Sequence, residues 1–206
     1  MAEPTEKQGK FRIESLSDLI FGLALSIGAL TLIGTAPSSF GNLLYSLLYY
    51  AFSFLILISV WRNYTTTMSY LHIETSRDLN LNVFLLFLVS IEPFLFNELN
   101  ISLNLTQNVS ILYALDLGGL FSILAFLGSS ILKDRNRPVE VLRSYELRRN
   151  SQIIAATFFF VSILPFFWTL GIPINNQSRV PLRLILWIVP LFLHPIRVFI
   201  EKKTQK

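Results

Sequence analysis

The chain has no cysteine, only two histidines and few charges: Asp, Glu, Lys and Arg make up 15% of its 206 residues. Soluble domains carry roughly 25% charged residues, so the composition argues against a soluble fold. Without cysteine there is no disulfide framework, zinc–cysteine cluster, iron–sulfur site or cysteine nucleophile. The nucleophile-elbow, zinc-protease, phosphate-loop and dinucleotide motifs are absent as well, and His72 and His194 are not spaced as a metal pair. The sequence therefore predicts neither an enzyme nor a bound cofactor.

Hydrophobic residues dominate what is present, at 52% of the chain with a mean hydropathy of +0.55. A bilayer core about 30 Å thick needs roughly 20 mostly apolar residues per helix. Six segments qualify: 13–33, 43–61, 79–95, 109–132, 153–170 and 180–200. They are continuously apolar, whereas the strands of a membrane barrel alternate. The prediction is an all-α, polytopic membrane protein with six transmembrane helices in one domain spanning residues 1–206.

The positive charges predict the orientation of these helices, because short cytoplasmic loops collect Lys and Arg. Of the 17 such residues, all except Arg179 and Arg183 lie in the two termini or in the connections after the second and fourth segments. Both termini are therefore predicted to be cytoplasmic. The net charge of +4 follows from this bias, so the lipid bilayer is an expected partner and nucleic acid is not.

Apart from Glu14 at the start of the first segment, three acids lie inside the apolar segments, where a charge is costly and normally faces protein or water. Glu92 and Asp116 lie near the predicted outer ends of their helices, and either reach the outer interface or form a ring of negative charge at a cation entrance. Asp18 lies one turn inside the first helix, and Ser17 and Asp18 suit a helix N-terminus. Because Arg12 and Asp18 are too far apart for an i,i+4 pair, we expect each to bond to a neighbouring helix in a buried network. The nearest polar candidates by depth are Asn63, Asn80 and Asn82.

The start of the first segment, RIESLSDLIF over residues 12–21, resembles a known signature. It is similar to the R-x-x-x-F-S-D motif of the lysosomal potassium channel family, also called the transmembrane protein 175 family, in its prokaryotic single-repeat form. Arg12, Ser17 and Asp18 match, and Leu16 replaces the usual Phe.

Two further stretches resemble the same family. LNVFLLFLVSIEPF, residues 81–94, is similar to its Leu- and Asn-rich third helix, from which Glu92 is a departure. Trp61 and Asn63 fit the end of the second helix, although Tyr64 and Thr65 stand where the family commonly has histidines.

The resemblance implies a potassium-selective, leak-type channel in a prokaryotic plasma membrane. A single repeat implies a homotetramer whose pore is lined by four first helices, with potassium as the permeant ion. No T-V-G-Y-G filter is present. The family places a ring of bulky aliphatic residues five positions after the Asp, which here is Leu23.

Helical spacing extends this stripe, because residues at i, i+4 and i+7 share one face. Leu23, Ile27 and Leu30 form the predicted hydrophobic constriction, which can gate by dewetting. Ser26 and Thr31 offer hydroxyl oxygens beside it. Two alternatives stay open: a proton-coupled secondary transporter using Glu92 or Asp116, and a non-conducting membrane scaffold.

Overall fold

The computed structural model describes residues 4–34, 39–71, 76–101, 106–133, 138–175 and 178–192. The chain divides into two compact units, residues 1–101 and residues 102–206. The first unit holds three helices: α1 (Pro4–Gly34), α2 (Phe40–Tyr70) and α3 (Ser76–Ile101). The second holds α4 (Thr106–Leu132), α5 (Val139–Ser162), α6 (Phe166–Thr169), β1 (Gly171–Asn175), β2 (Ser178–Pro181) and α7 (Leu182–Leu186).

The first four predicted segments are helices, but each helix extends beyond its apolar part. The second segment was predicted to end at residue 61, whereas α2 continues to Tyr70. Along this polar extension the Thr66 and Thr67 hydroxyls donate to the carbonyls of Arg62 and Asn63, four residues earlier. Such internal bonds let hydroxyl side chains remain on a helix. Likewise α3 passes through Pro93 to Ile101, which membrane helices tolerate.

The predicted fifth and sixth segments are wrong in their bounds. The helix predicted over 153–170 begins at Val139 as α5 and ends at Ser162. It cannot continue as one helix because Pro165 lacks the N–H group and its ring clashes with the preceding turn, so α6 starts afresh after it. The segment predicted over 180–200 begins inside strand β2 and becomes the apolar helical stretch Leu182–Phe192. Residues 193–200, including His194, lie outside the described residues.

A two-stranded antiparallel sheet in the second unit was not predicted. Strand β1 pairs with β2 so that Gly171 lies opposite Pro181 and Ile172 opposite Val180, with an irregularity after Pro173. It joins α6 to α7 and leaves the fold otherwise helical. Its strands are too short to give an alternating pattern that a sequence could reveal.

Four helices in the described part of the chain are long and apolar enough to cross a membrane. Their spans are Phe11–Leu30, Ser46–Tyr70, Ser76–Leu99 and Gln107–Leu132. Helix α5 does not join them, because its first half carries Arg143, Arg148, Arg149 and two glutamates. The chain is a multi-pass membrane protein, and these four helices are its candidate spans.

Candidate ion pathway and its supports

Helix α1 has one face packed against its own unit and one face left open. Ser17, Phe21, Ala24 and Gly28 recur at spacings of three and four residues and are buried. On the other side lies a row of exposed residues that we term the open face of α1: Leu16, Leu19, Leu23, Ser26, Ile27 and Leu30. The predicted constriction residues all belong to it, with exposed fractions of 58% for Leu23, 40% for Ile27 and 61% for Leu30.

The open face is apolar except for one hydroxyl. Ser26 donates its proton to the Gly22 carbonyl at 2.8 Å, four residues earlier. The hydroxyl oxygen keeps acceptor lone pairs that point away from the helix backbone. Such an oxygen can accept from water or contact a cation. Thr31, the second predicted hydroxyl, lies on α1, and its side chain is outside the described set.

The predicted signature network is built around Tyr64 of α2. Ser17 donates its single proton to the Ile13 carbonyl at 2.7 Å, and its oxygen lies 2.6 Å from the Tyr64 hydroxyl. Tyr64 must therefore be the donor in that second bond. The Tyr64 hydroxyl also interacts with the side chain of Asn82 on α3, so one phenol joins all three helices of the unit.

Asp18 has a different partner from those that the sequence suggested. Its Oδ1 accepts a hydrogen bond from the indole Nε1 of Trp61 at 3.0 Å, at the exposed edge of the α1–α2 contact. Asn63 donates to the Ser59 carbonyl of its own helix, and Asn80 is exposed. The usable signal was the spacing of Trp61 and Tyr64, because residues three apart share one side of a helix. Arg12 is exposed toward the start of α1.

Glu92 lies inside the α2–α3 contact and is fully buried. Ser53 of α2 donates to its Oε1 at 2.8 Å. One turn further along, the Tyr49 hydroxyl donates to the Phe96 carbonyl at 3.2 Å and the two rings stack at 4.1 Å. Both interpretations offered by the sequence need an accessible carboxylate, and the structure instead places this one between two helices. Asp116 is likewise buried, on α4 of the second unit.

A buried arginine that sequence analysis used only for orientation organises the second unit. The Arg183 Nε donates to the Ser162 carbonyl at 2.7 Å and Nη2 donates to the Ile163 carbonyl at 2.9 Å. Those carbonyls are at the C-terminus of α5, where the helix dipole favours a cation. Nη1 donates to Ser110 Oγ of α4 at 2.6 Å, and the guanidinium lies 5.2 Å from the centre of the Trp168 ring. We term these residues the Arg183 cluster.

The comparisons with known proteins point to the first unit. Residues 12–93 match the family profile described as "Endosomal/lysosomal potassium channel TMEM175". That range contains the signature, the described open face of α1 and α3 up to Pro93. Over these residues the chain is similar to the TMEM175 family. The resemblance predicted from RIESLSD is thereby confirmed, and a search of curated proteins finds no match.

The fold is similar to a TMEM175 structure over nearly the whole chain. The crystal structure of a lysosomal potassium-selective channel TMEM175 homolog from Chamaesiphon minutus aligns with a TM-score of 0.63 at 18% identity. The alignment covers 92% of this chain and 98% of that one. At this identity the likeness establishes the shared fold. Both TMEM175 matches are to ion channels, which agrees with the absence of enzyme motifs.

Proposed function

We propose that this protein is a potassium-selective, leak-type channel of a prokaryotic plasma membrane. Four copies assemble around a pore lined by the open faces of their α1 helices. The observation that carries the proposal is that the open face belongs to the stretch that matches the TMEM175 family. In this assembly two further crossings join the four apolar spans, one from the apolar second half of α5 with α6 and one from the stretch that begins at Leu182. Both termini then lie in the cytoplasm, and conduction needs no cofactor.

The burial of α1 supports a pore position. Only 22% of its span is buried within the chain, the lowest share of the four spans. Exposed Leu and Ile side chains would also suit lipid, whereas the Ser26 oxygen gives the same face an acceptor that can contact a cation. Polar groups at that depth normally face protein or water. A central pore gives both residue types a role on one face.

The constriction follows from the apolar ring. Four copies of Leu23, followed one and two turns later by Ile27 and Leu30, would narrow the pore where ions shed water only at high cost. Ser26 and Thr31 lie between and beyond these rings and would offer oxygens to a partly dehydrated cation. Asp18, held by Trp61 at the cytoplasmic end, would fix the rotation of each helix.

The test is potassium and sodium flux in liposomes that hold the purified protein. We expect a potassium preference in the wild type that Leu23→Asn abolishes. The matched control is Leu55→Asn on α2, because Leu55 is 51% exposed, close to the 58% of Leu23, and lies on a different helix. Its preference should match the wild type. Liposomes tight to both ions would end the channel proposal, and a normal preference in Leu23→Asn would end the assignment of the constriction.

The complete burial of Glu92 at membrane depth keeps a proton-coupled transporter as a second candidate. The same liposomes separate the two functions when a proton gradient is applied. A transporter would show gradient-driven flux that Glu92→Gln or Asp116→Asn removes. A channel would conduct down the potassium gradient alone, with Glu92→Gln still conducting. A scaffold would pass no ions in either assay.

A further inference from the structure

A groove runs along the contact between α4 and α5, entirely within the second unit. It encloses about 280 Å³ and is lined by Ser122, Ala125, Phe126 and Ser129 of α4 and by Ile153, Ala156, Thr157 and Phe160 of α5. From Ser122 to Ser129 it extends about 10 Å at 1.5 Å per residue. That is roughly a third of the hydrocarbon thickness. The α4 wall lies within the membrane span Gln107–Leu132.

The wall of the groove is mostly apolar, and its three hydroxyl groups have no proton left to donate. Ser122, Ser129 and Thr157 each donate to a carbonyl of their own helix, those of Gly118, Ala125 and Ile153, at 2.7 to 2.8 Å. Their protons are therefore already used. The groove thus suits a hydrocarbon occupant better than a polar ligand.

One end of the groove is basic. Lys133 is exposed in the turn directly after α4, four residues beyond Ser129, and Arg149 lies one turn before Ile153 on α5. The two helices are close there, because a Cβ placed on Gly128 would lie 4.0 Å from the Cβ of Arg149. The Arg149 guanidinium bonds to the side-chain oxygen of Asn150 at 3.1 and 3.3 Å.

The surrounding charges leave this end positive. Glu146 is exposed one turn further from the span, and Arg148 stacks 5.8 Å from the Tyr145 ring centre. Along α5, Arg149 is therefore closer to the groove than this acid is.

We propose that this groove binds one acyl chain of an anionic phospholipid, whose phosphate lies against Lys133 and Arg149. Apolar wall and basic end follow one another along the helix axis, as tail and headgroup do in a lipid. Basic pockets between membrane helices on the cytoplasmic side are suited to anionic headgroups. The site is independent of ion conduction, so it can fail while the channel assignment holds.

The experiment is native mass spectrometry of the full-length protein titrated with dioleoyl phosphatidylglycerol or dioleoyl phosphatidylcholine. These probes share their tails and differ in headgroup charge. We expect preferential binding of phosphatidylglycerol. Lys133→Gln or Arg149→Gln should each weaken it about fivefold, and the double variant about 25-fold. Arg143→Gln, an exposed arginine on the same helix, is the matched control and should bind as the wild type does.

Two further experiments test whether the acyl chain occupies the groove. Ser129→Trp fills the groove and should remove the preferential binding, provided that size-exclusion chromatography gives the wild-type profile. Glycerol 3-phosphate, which has the headgroup chemistry without a tail, should not compete, and this arm stands even where Ser129→Trp does not fold.

Equal binding of both lipids, or wild-type affinity in the charge variants, overturns the proposal. So does competition by glycerol 3-phosphate, which would indicate a plain anion site. A folded Ser129→Trp with unchanged lipid binding but an altered oligomeric state also overturns it, because a second copy would then cover the groove.

Discussion

The two units hold their central helices in opposite ways. In the first unit 22% of the α1 span is buried, whereas in the second 61% of the α4 span is buried. Helix α1 is fixed through Ser17 and Asp18 and leaves a full face open. Helix α4 packs along α5 and shares the Arg183 cluster. The contrast indicates that α1 is built to meet something outside its chain and that α4 is built to support its own unit.

The hydrogen bonds of the two units differ in the same way, since those of the first unit are fewer for each polar group than those of the second. The first unit uses single hydrogen bonds from Tyr64, Trp61 and Ser53, each worth about 1 kcal/mol, or somewhat more where the acceptor is a carboxylate. The second uses one guanidinium to satisfy acceptors from α4 and from the end of α5. Shifting α1 within the first unit should therefore cost less free energy than rearranging the helices of the second unit.

The largest expected effect comes from Arg183→Met. It removes the donor shared by the carbonyls of Ser162 and Ile163 and by the Ser110 hydroxyl, and leaves these buried acceptors without their cation. We expect a loss of about 3 to 5 kcal/mol. In a thermal ramp followed by size-exclusion chromatography, the midpoint should fall on the order of 10 °C.

Two variants sharpen that prediction. Arg183→Lys keeps the positive charge but not the planar guanidinium group, which donates to several acceptors at once. It should therefore recover only part of the stability that Arg183→Met loses. Arg143→Gln, at an exposed position of α5, should leave the midpoint within a degree or two of wild type. A midpoint for Arg183→Met equal to that of Arg143→Gln would mean that the Arg183 cluster does not stabilise the second unit.

The sequence revealed the helices better than their partners. Apolar length located α1 to α4 because a bilayer demands a minimum span, and the RIESLSD signature located the packed edge of α1. The polar extension of α2 was missed because its threonines and serine bond within the helix, a local effect that hydropathy does not record. The sequence predicts Pro165 inside a span, whereas helix α5 ends before it, at Ser162.

For the candidate site, too, the sequence predicts which residues share a face but not their partners. Leu23, Ile27 and Leu30 could be placed on one face from spacing alone, and the structure leaves that face open. The partners of Asp18 and Glu92 could not be predicted, because Trp61 and Ser53 are 43 and 39 residues away and are chosen by helix packing. For Arg183 the gap is larger still, since Ser110 precedes it by 73 residues.

A smaller effect is expected at the Ser17–Tyr64 contact. Ser17→Ala removes the acceptor of the Tyr64 proton and should cost about 1 kcal/mol, well below the loss in Arg183→Met. Tyr64→Phe should cost somewhat more, because it also removes the contact between the Tyr64 hydroxyl and the Asn82 side chain. Because both act on one hydrogen bond, the double variant should lose clearly less than the sum, with a coupling of at least about 0.5 kcal/mol. Strict additivity in chemical unfolding would show that the contact contributes nothing of its own.

The smallest expected changes in stability come from two glycine-to-alanine substitutions, one in each unit. A Cβ on Gly118 of α4 would lie 2.7 and 2.9 Å from two atoms of the Phe160 ring, whereas a Cβ on Gly22 of α1 meets nothing within 4 Å. Gly22→Ala should therefore gain up to about 1 kcal/mol from helix propensity. In Gly118→Ala the same gain is offset by displacing a ring that is 41% exposed, so its net change should be near zero or slightly unfavourable.

The Gly22 variant also tests the open face of α1. Within one chain nothing lies beside Gly22, so a second copy of the chain could approach there. If copies of α1 approach closely at that level in the proposed tetramer, Gly22→Ala will stabilise the dissociated chain and yet weaken the assembly. Thermal midpoints measured at high and low protein concentration distinguish the cases, since assembly makes the midpoint depend on concentration. A gain at both concentrations would mean that any contact between copies in the proposed tetramer lies away from Gly22, which is compatible with Leu23, Ser26 and Leu30 facing the proposed pore.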